Sequence, residues 1–299
     1  MIDHAGVREE VQLGPMTTYK VGGPARWFAE PDGLEDLRSI LEVVPDPMQV
    51  WVLGRGSNVV ISDAGFDGLV IRLGRGFSAV DVRDDGTIVA GASAPLPILA
   101  RAAAEAGRSG LEFYVGIPGS VGGAVVMNAG GHGSDTASVL VEATVLDVVT
   151  RSVDRRTPVD LDLSYRHSNL TDDTIVVQAT FSTEAIDPAE GMDRLREITR
   201  WRREHQPGGT LNAGSVFKNP PDASAGAIID GLGLKGTHLG PVSVSPVHAN
   251  WLVATEDATA SDIFAFVQYI KRLVADRAGI ELVPEIRFIG AFPRRWEQP

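Results

Sequence analysis

Gly116-Ile117-Pro118-Gly119-Ser120-Val121-Gly122-Gly123-Ala124-Val125-Val126-Met127-Asn128-Ala129-Gly130-Gly131-His132-Gly133 holds seven glycines in eighteen residues. The chain average, 33 glycines in 299 residues, predicts about two for that length. A glycine inside an ordered element costs roughly 0.5–1 kcal/mol of extra unfolded-state entropy, so this density requires a reason. A sharp corner in a sheet accounts for two or three of them. Seven suit backbone that must lie against a large ligand, and the stretch reads as a dinucleotide cradle.

A second loop, Leu53-Gly54-Arg55-Gly56-Ser57-Asn58, follows a strand directly. Its glycines allow backbone N–H groups to converge on a phosphate, although a plain tight turn explains the loop equally well. A Rossmann fingerprint would need glycine at position 59, which is Val59, and an acid about twenty residues further on, where Leu73-Gly74 stands. No Gly-Lys-Ser/Thr triplet forms a Walker loop.

Working outward, Gln49–Leu53, Val59–Ser62 and Leu69–Leu73 read as short apolar strands, and Leu34–Val43 as a helix after Asp32. Ala79–Val82 and Thr87–Ala90 flank the turn Asp84-Asp85-Gly86. Pro97–Ala106 predicts a helix stopped by Gly107, and Val139–Val149 and Ile175–Phe181 predict further strands. Asp193–Glu204 is a charged helix with Leu195 and Ile198 on one side, and Gln206-Pro207-Gly208-Gly209 marks a domain junction. Ile263, Val267, Ile270 and Val274 define an amphipathic helix that Gly279 ends, and Ile280–Ile289 supplies strands. The fold class is α+β, with a glycine-rich front part and a smaller C-terminal domain.

Composition removes whole classes of function. The net charge of -12 disfavours nucleic acid, whose affinity comes from Lys and Arg against phosphates, and equally a basic membrane-surface patch. An anionic small ligand remains compatible if a few cations share one cleft. Without cysteine there is no disulfide, thiolate zinc site, iron–sulfur cluster or thiol nucleophile. No apolar run is long enough to span a bilayer, and the N-terminal MIDHAGVREEVQ does not resemble a signal peptide, so a complete cytoplasmic protein is expected.

Ser215-Val216-Phe217-Lys218 matches the Ser-x-x-Lys of penicillin-recognising enzymes, but Gly214 and Asn219-Pro220-Pro221 oppose the helix that mechanism needs. No serine lies in Gly-x-Ser-x-Gly, and the six histidines form no His-Glu-x-x-His, so no metal site is expected.

Six stretches in order carry a resemblance: Thr18-Tyr19-Lys20-Val21-Gly22-Gly23-Pro24-Ala25, Leu53–Asp63, Gly116–Gly133, Tyr165-Arg166-His167-Ser168, Gly214–Pro220 and Pro284-Glu285-Ile286-Arg287-Phe288-Ile289-Gly290. Together they resemble the UDP-N-acetylenolpyruvoylglucosamine reductases, in their shorter second subtype, within the vanillyl-alcohol-oxidase-like flavoproteins. The resemblance implies an FAD-binding region of the PCMH type in two parts, residues 1–76 and 77–205. A C-terminal substrate domain over 206–299 follows, with Glu285 returning to the active site. It also implies non-covalent FAD, NADPH as hydride donor and a nucleotide-sugar substrate; it says nothing of protein partners.

By the same resemblance, Gly54, Arg55, Gly56, Ser57, Asn58, Gly116, Ile117, Pro118, Gly119, Ser120, Gly122, Gly123 and Ala124 hold the cofactor. Arg166, Ser215 and Glu285 are the catalytic residues. Tyr165, Arg202, His205, Lys218, Asn219, Asn250 and Arg287 hold the substrate, though Arg202 also fits a plain helix-surface charge. Two positions depart from the family pattern: His205 stands where relatives often carry lysine, and Ala254 where they usually carry asparagine.

The chemistry suits these types. Reducing an enol ether puts negative charge on the carbon beside a carboxylate, which calls for cations or donors there and a proton source. Arg166 offers a planar fork that never deprotonates. Glu285 helps best as a neutral donor or when paired, with Arg287 as one partner. Ser215 would supply the proton. A flavin oxidase of the same fold, with His132 as a covalent anchor, and a degenerate nucleotide-binding module are the rival readings.

Overall fold

The computed structural model describes residues 5–45 and 48–293. The described residues fold into two compact units built from interleaved segments: 5–9, 27–45, 48–55 and 68–202 belong to the first, and 10–26, 56–67 and 203–293 to the second. Each has its own apolar core.

In the first unit, Val50–Val52 pairs in parallel with the Leu69–Ile71 end of Phe66–Ile71. A five-stranded antiparallel sheet runs in the order Val153–Arg156, Leu140–Asp147, Thr174–Phe181, Ile88–Gly91, Val80–Val82. The hairpin expected at Asp84-Asp85-Gly86 is present. Gly86 donates to Arg83 O at 2.9 Å with φ +85°, a conformation that only glycine adopts cheaply. The helix Leu96–Glu105 buries Leu96, Leu99, Ala100, Ala103 and Ala104, a stripe at helical spacing, and ends before Gly107 at φ +68°.

Two boundaries differ from the expectation. The strand read as Val139–Val149 is Leu140–Asp147, because the Asp147 carboxylate accepts the amides of Val149 and Thr150 and turns the chain. The charged helix starts at Pro188, not Asp193. Proline is favoured in a first helical turn, where its missing N–H costs nothing, and Asp187 accepts the Ala189 amide at 2.7 Å. Gly191 then lets this helix approach Ala104, whose Cβ would lie 3.2 Å from an added methyl.

The second unit is organised around the helix Ala260–Ala278, which buries Ile263, Phe266, Val267, Ile270 and Val274. Thr259 and Asp262 form a capping box at its start, and Gly279 at φ +67° ends it. Asp63 adds a second cap from far away in sequence, accepting the amides of Ala260 and Ser261 at 2.8 and 2.9 Å. Val59–Ile61 pairs in parallel with Arg287–Ile289, and His238–Leu239, Val242–Val244 and Leu252–Ala254 form an antiparallel sheet. Of the expected strands in Ile280–Ile289 only Arg287–Ile289 forms. Pro284 has no N–H to donate, so the preceding residues contribute only a bridge to Phe217 and single bonds.

No helix of the described residues is long and apolar enough to cross a membrane.

Candidate active site

In the first unit the two glycine-rich loops meet. A methyl added to Gly54 would lie 2.9 Å from Ser120 Oγ, with no other atom beyond its chain neighbours within 4 Å. Gly123 likewise faces only Ser120 Oγ, at 3.5 Å. Both glycines are exposed, so the loops there leave backbone uncovered for a flat, extended dinucleotide, and the residues fit FAD on this count.

The loop is backed firmly. Val121 and Gly122 donate their amides to Ala94 O and Ala92 O at 3.0 and 2.8 Å. Those two amides therefore serve the fold rather than a ligand. Ala124 is buried, and its carbonyl accepts the Ala129 amide. Buried Tyr114 donates to Thr136 Oγ1, which donates to Ala129 O, both at 2.9 Å. Burial pushes the Tyr114 phenol's pKa upward, so it stays a neutral donor. Gly116 lies under the Arg202 side chain, while Ile117 and Gly119 are partly exposed and Pro118 is exposed.

Arg166 sits at the corner of a tight turn closed by reciprocal bonds between Ser164 and His167, with φ +54°. A non-glycine residue there is strained, and such strain persists where surrounding contacts over-determine it. Its Nη1 and Nη2 donate to Asn128 O and Gly130 O at 3.4 and 2.9 Å, and the guanidinium lies 5.2 Å from the Tyr165 ring centroid. Tyr165 is half exposed.

Asn128, which the sequence analysis does not single out, organises this corner. It is buried with φ +40°; its Nδ2 donates to Ser164 O at 2.8 Å and to Asp135 at 3.2 Å, and its Oδ1 accepts the Ala137 amide at 2.8 Å. One side chain thus links the glycine loop, the arginine turn and a helical cap. Its signal was an Asn-Ala-Gly sequence, since Asn tolerates left-handed backbone.

In the second unit Ser215 and Glu285 come together. Ser215 bridges Trp251, and the Glu285 amide donates to the carbonyl of the next residue, Val216, at 2.7 Å. The Lys218 amide donates to Val283 O at 2.8 Å. Asn58 joins this ladder: its Nδ2 donates to Glu285 O at 3.2 Å, and its carbonyl accepts the Arg287 amide at 3.0 Å. Ser57 is partly buried and Arg55 exposed.

Asn250 is buried, and its carbonyl accepts the Val216 amide at 2.9 Å. Its amide clasps Phe217, accepting from N at 3.0 Å and donating to O at 2.8 Å, so it positions the serine strand. Asn219 accepts the Ala225 amide at 3.0 Å, and His205 is exposed at the end of its helix. Gly56, at φ +64°, packs against protein: an added methyl would lie 2.3 Å from Met16 O. Gly22 and Gly23 do the same against Ile61 and Asp63.

The pattern of the family described as "FAD binding domain" matches residues 25–151, a stretch that holds both glycine-rich loops, so the chain is an FAD-binding protein. The pattern of "UDP-N-acetylenolpyruvoylglucosamine reductase, C-terminal domain" matches 206–289. The chain is 43% identical over 289 residues to the UDP-N-acetylenolpyruvoylglucosamine reductase of Synechococcus sp. (strain RCC307), covering 96% of this chain and 95% of the other. It is 42% identical to that of Caulobacter sp. (strain K31), with 93% of each covered. A crystal structure of the Thermus caldophilus reductase matches with a TM-score of 0.82 at 34% identity, covering 95% of this chain and all of that one. The chain belongs to the UDP-N-acetylenolpyruvoylglucosamine reductase family.

Proposed function

We infer that this protein uses NADPH and FAD to reduce the enolpyruvyl ether of UDP-N-acetylglucosamine to UDP-N-acetylmuramate, a step of peptidoglycan synthesis. The observation that carries this reading is near-complete coverage by reductases at about 40% identity, in a chain whose two glycine loops meet at Gly54 and Ser120. FAD, when bound, relays hydride from NADPH to the double bond.

The chain's own residues have the remaining tasks. Arg166 holds the substrate carboxylate and spreads the charge that develops beside it; its bonds to Asn128 and Gly130 fix the direction of the fork. Ser215 gives its hydroxyl proton to the carbon that gains negative charge, a strong enough base to take it. Glu285, one ladder bond from the serine strand, shares the charge as a neutral or paired carboxyl. Tyr165, His205, Lys218, Asn219 and Arg287 hold the nucleotide-sugar, and Asn250 positions Ser215. The flavin is held non-covalently, by Gly54, Ser120 and Gly123 and their neighbours, and the enzyme works in the cytoplasm.

The test is the visible spectrum through one cycle. The purified protein is yellow, anaerobic NADPH bleaches it, and the enolpyruvyl nucleotide-sugar restores the colour. Protein that takes up no added FAD ends this reading; colour that stays with an acid-precipitated pellet favours the covalent oxidase.

A further inference from the structure

The helix Pro188–His205 carries several arginines, and their surroundings divide them. Arg194 pairs with Glu190 and Glu112, and Arg196 with Asp193. Arg200 and Arg203 are exposed to water. Arg202 is different. It is half buried, and among the described residues no carboxylate or hydrogen-bond acceptor meets its guanidinium.

Its position is defined. A methyl added to Gly116 would lie 2.8 Å from Arg202 Cδ and 3.4 Å from Nη1, so the side chain is laid directly on the glycine-rich loop. His132, from the far end of that loop, stacks edge-on against Trp201 at 5.1 Å. Burial and the Arg202 charge both hold the His132 pKa below its usual value, so the imidazole adds no second charge at neutral pH. Burial also lowers the pKa of Arg202 itself.

Removing a cation from water without an opposing charge is costly, and proteins seldom leave one so. The last helical turn offers part of a counter-charge, but Arg200 and Arg203 share that benefit from solvent without the desolvation. An inward-turned guanidinium on the glycine-rich loop, with no acid beside it among the described residues, calls for an anion that those residues do not supply.

We propose that Arg202 is the cation of the flavin cradle, contacting a negatively charged group of bound FAD rather than the nucleotide-sugar. Two parts of FAD carry such charge: the diphosphate, and the N1–C2=O side of the reduced ring. The inference rests on the flavoprotein reading above, and the unmodified protein is the control that separates the two. If the unmodified protein binds no FAD, that reading itself has failed.

The experiment compares Arg202→Met and Arg202→Lys with the parent, as full-length proteins. FAD is titrated into flavin-stripped protein at low and high salt, and sulfite into the flavin-loaded form. Sulfite adds to oxidised flavin and leaves negative charge on the ring, so its affinity reports a nearby cation. A charged contact of this kind is worth about tenfold or more in affinity. If the diphosphate is the partner, Arg202→Met weakens FAD binding about tenfold with a smaller salt dependence, and Arg202→Lys recovers part of it. If the ring is the partner, FAD affinity holds while sulfite affinity falls about tenfold. Should both affinities stay within about twofold of the parent, the proposal is overturned. Circular dichroism checks folding, and if Arg202→Met does not fold, Arg202→Gln is measured against the same limits.

Discussion

Arg166 donates from Nη2 to the carbonyl of Gly130 at 2.9 Å, which ties the strained arginine turn to the glycine-rich loop. A lysine at this position has one point charge and no planar fork, so it cannot hold both that carbonyl and a carboxylate in fixed geometry. Arg166→Lys is expected to slow reoxidation by the nucleotide-sugar about a hundredfold, with a much smaller effect on bleaching by NADPH. Stopped-flow absorbance of the two half-reactions measures this. Equal slowing of both would place Arg166 outside substrate chemistry.

Ser215 separates the half-reactions from the other side. Removing a proton donor typically costs between about a hundredfold and ten-thousandfold. Ser215→Ala should keep fast bleaching by NADPH and lose reoxidation within that range. Loss of both in the same proportion would assign the serine a structural role beside Trp251.

Asn128 tests the support beneath Arg166. Alanine there removes three hydrogen bonds, leaves buried acceptors and donors without partners, and keeps a left-handed φ that alanine resists. Asn128→Ala should lower stability by about 3 kcal/mol, read from the urea midpoint. A midpoint equal to the parent's would mean that the network is not held in solution.

The glycines divide into two kinds. Gly56→Ala must keep φ +64° and drive a methyl to 2.3 Å from Met16 O, which should cost about 3 kcal/mol with or without FAD. Gly123→Ala meets only Ser120 Oγ at 3.5 Å, so the flavin-free protein should be as stable as the parent while FAD binds about tenfold more weakly. Unchanged FAD affinity in Gly123→Ala would remove that residue from the cradle.

His248 makes stability depend on pH. Burial and the charge of Lys235 hold its pKa down, and its Nδ1 accepts the Asn250 amide at 3.2 Å, which requires an unprotonated nitrogen. A base with a lowered folded pKa binds fewer protons folded than unfolded near its ordinary value. Its stabilising contribution is therefore complete above about pH 6.5 and is lost as pH falls below that. Urea midpoints across this range should fall toward acid, and His248→Gln should flatten the slope. A slope that the substitution leaves unchanged refutes the assignment.

Much of the fold is legible in local pattern. The Ile263–Val274 stripe with Gly279 after it, the Asp84-Asp85-Gly86 hairpin and the Leu96–Glu105 helix depend on periodicity and turn chemistry that act over a few residues. The helix start at Pro188 was harder to read, because proline and glycine break helices in the interior yet serve them at a first turn or a close contact. The broken strand before Arg287 depends on what Pro284 lacks and on where Phe217 lies.

For the site, order and residue type nominate Arg166, Ser215, Glu285 and the two glycine loops as candidates, since a motif is a local object. Which of those glycines are packed against protein and which are left exposed was not legible. A missing Cβ looks the same in sequence whether Met16, Ala92 or open space lies opposite. Nor could sequence distinguish Asn250, spent on Phe217, or Arg202, turned inward without an acid. The chain's letters determined the chemical inventory and its local conformations, through sterics and hydrogen bonding between near neighbours. Only tertiary packing decided which of those groups are solvated, buried or paired, because that depends on residues brought alongside from tens or hundreds of positions away.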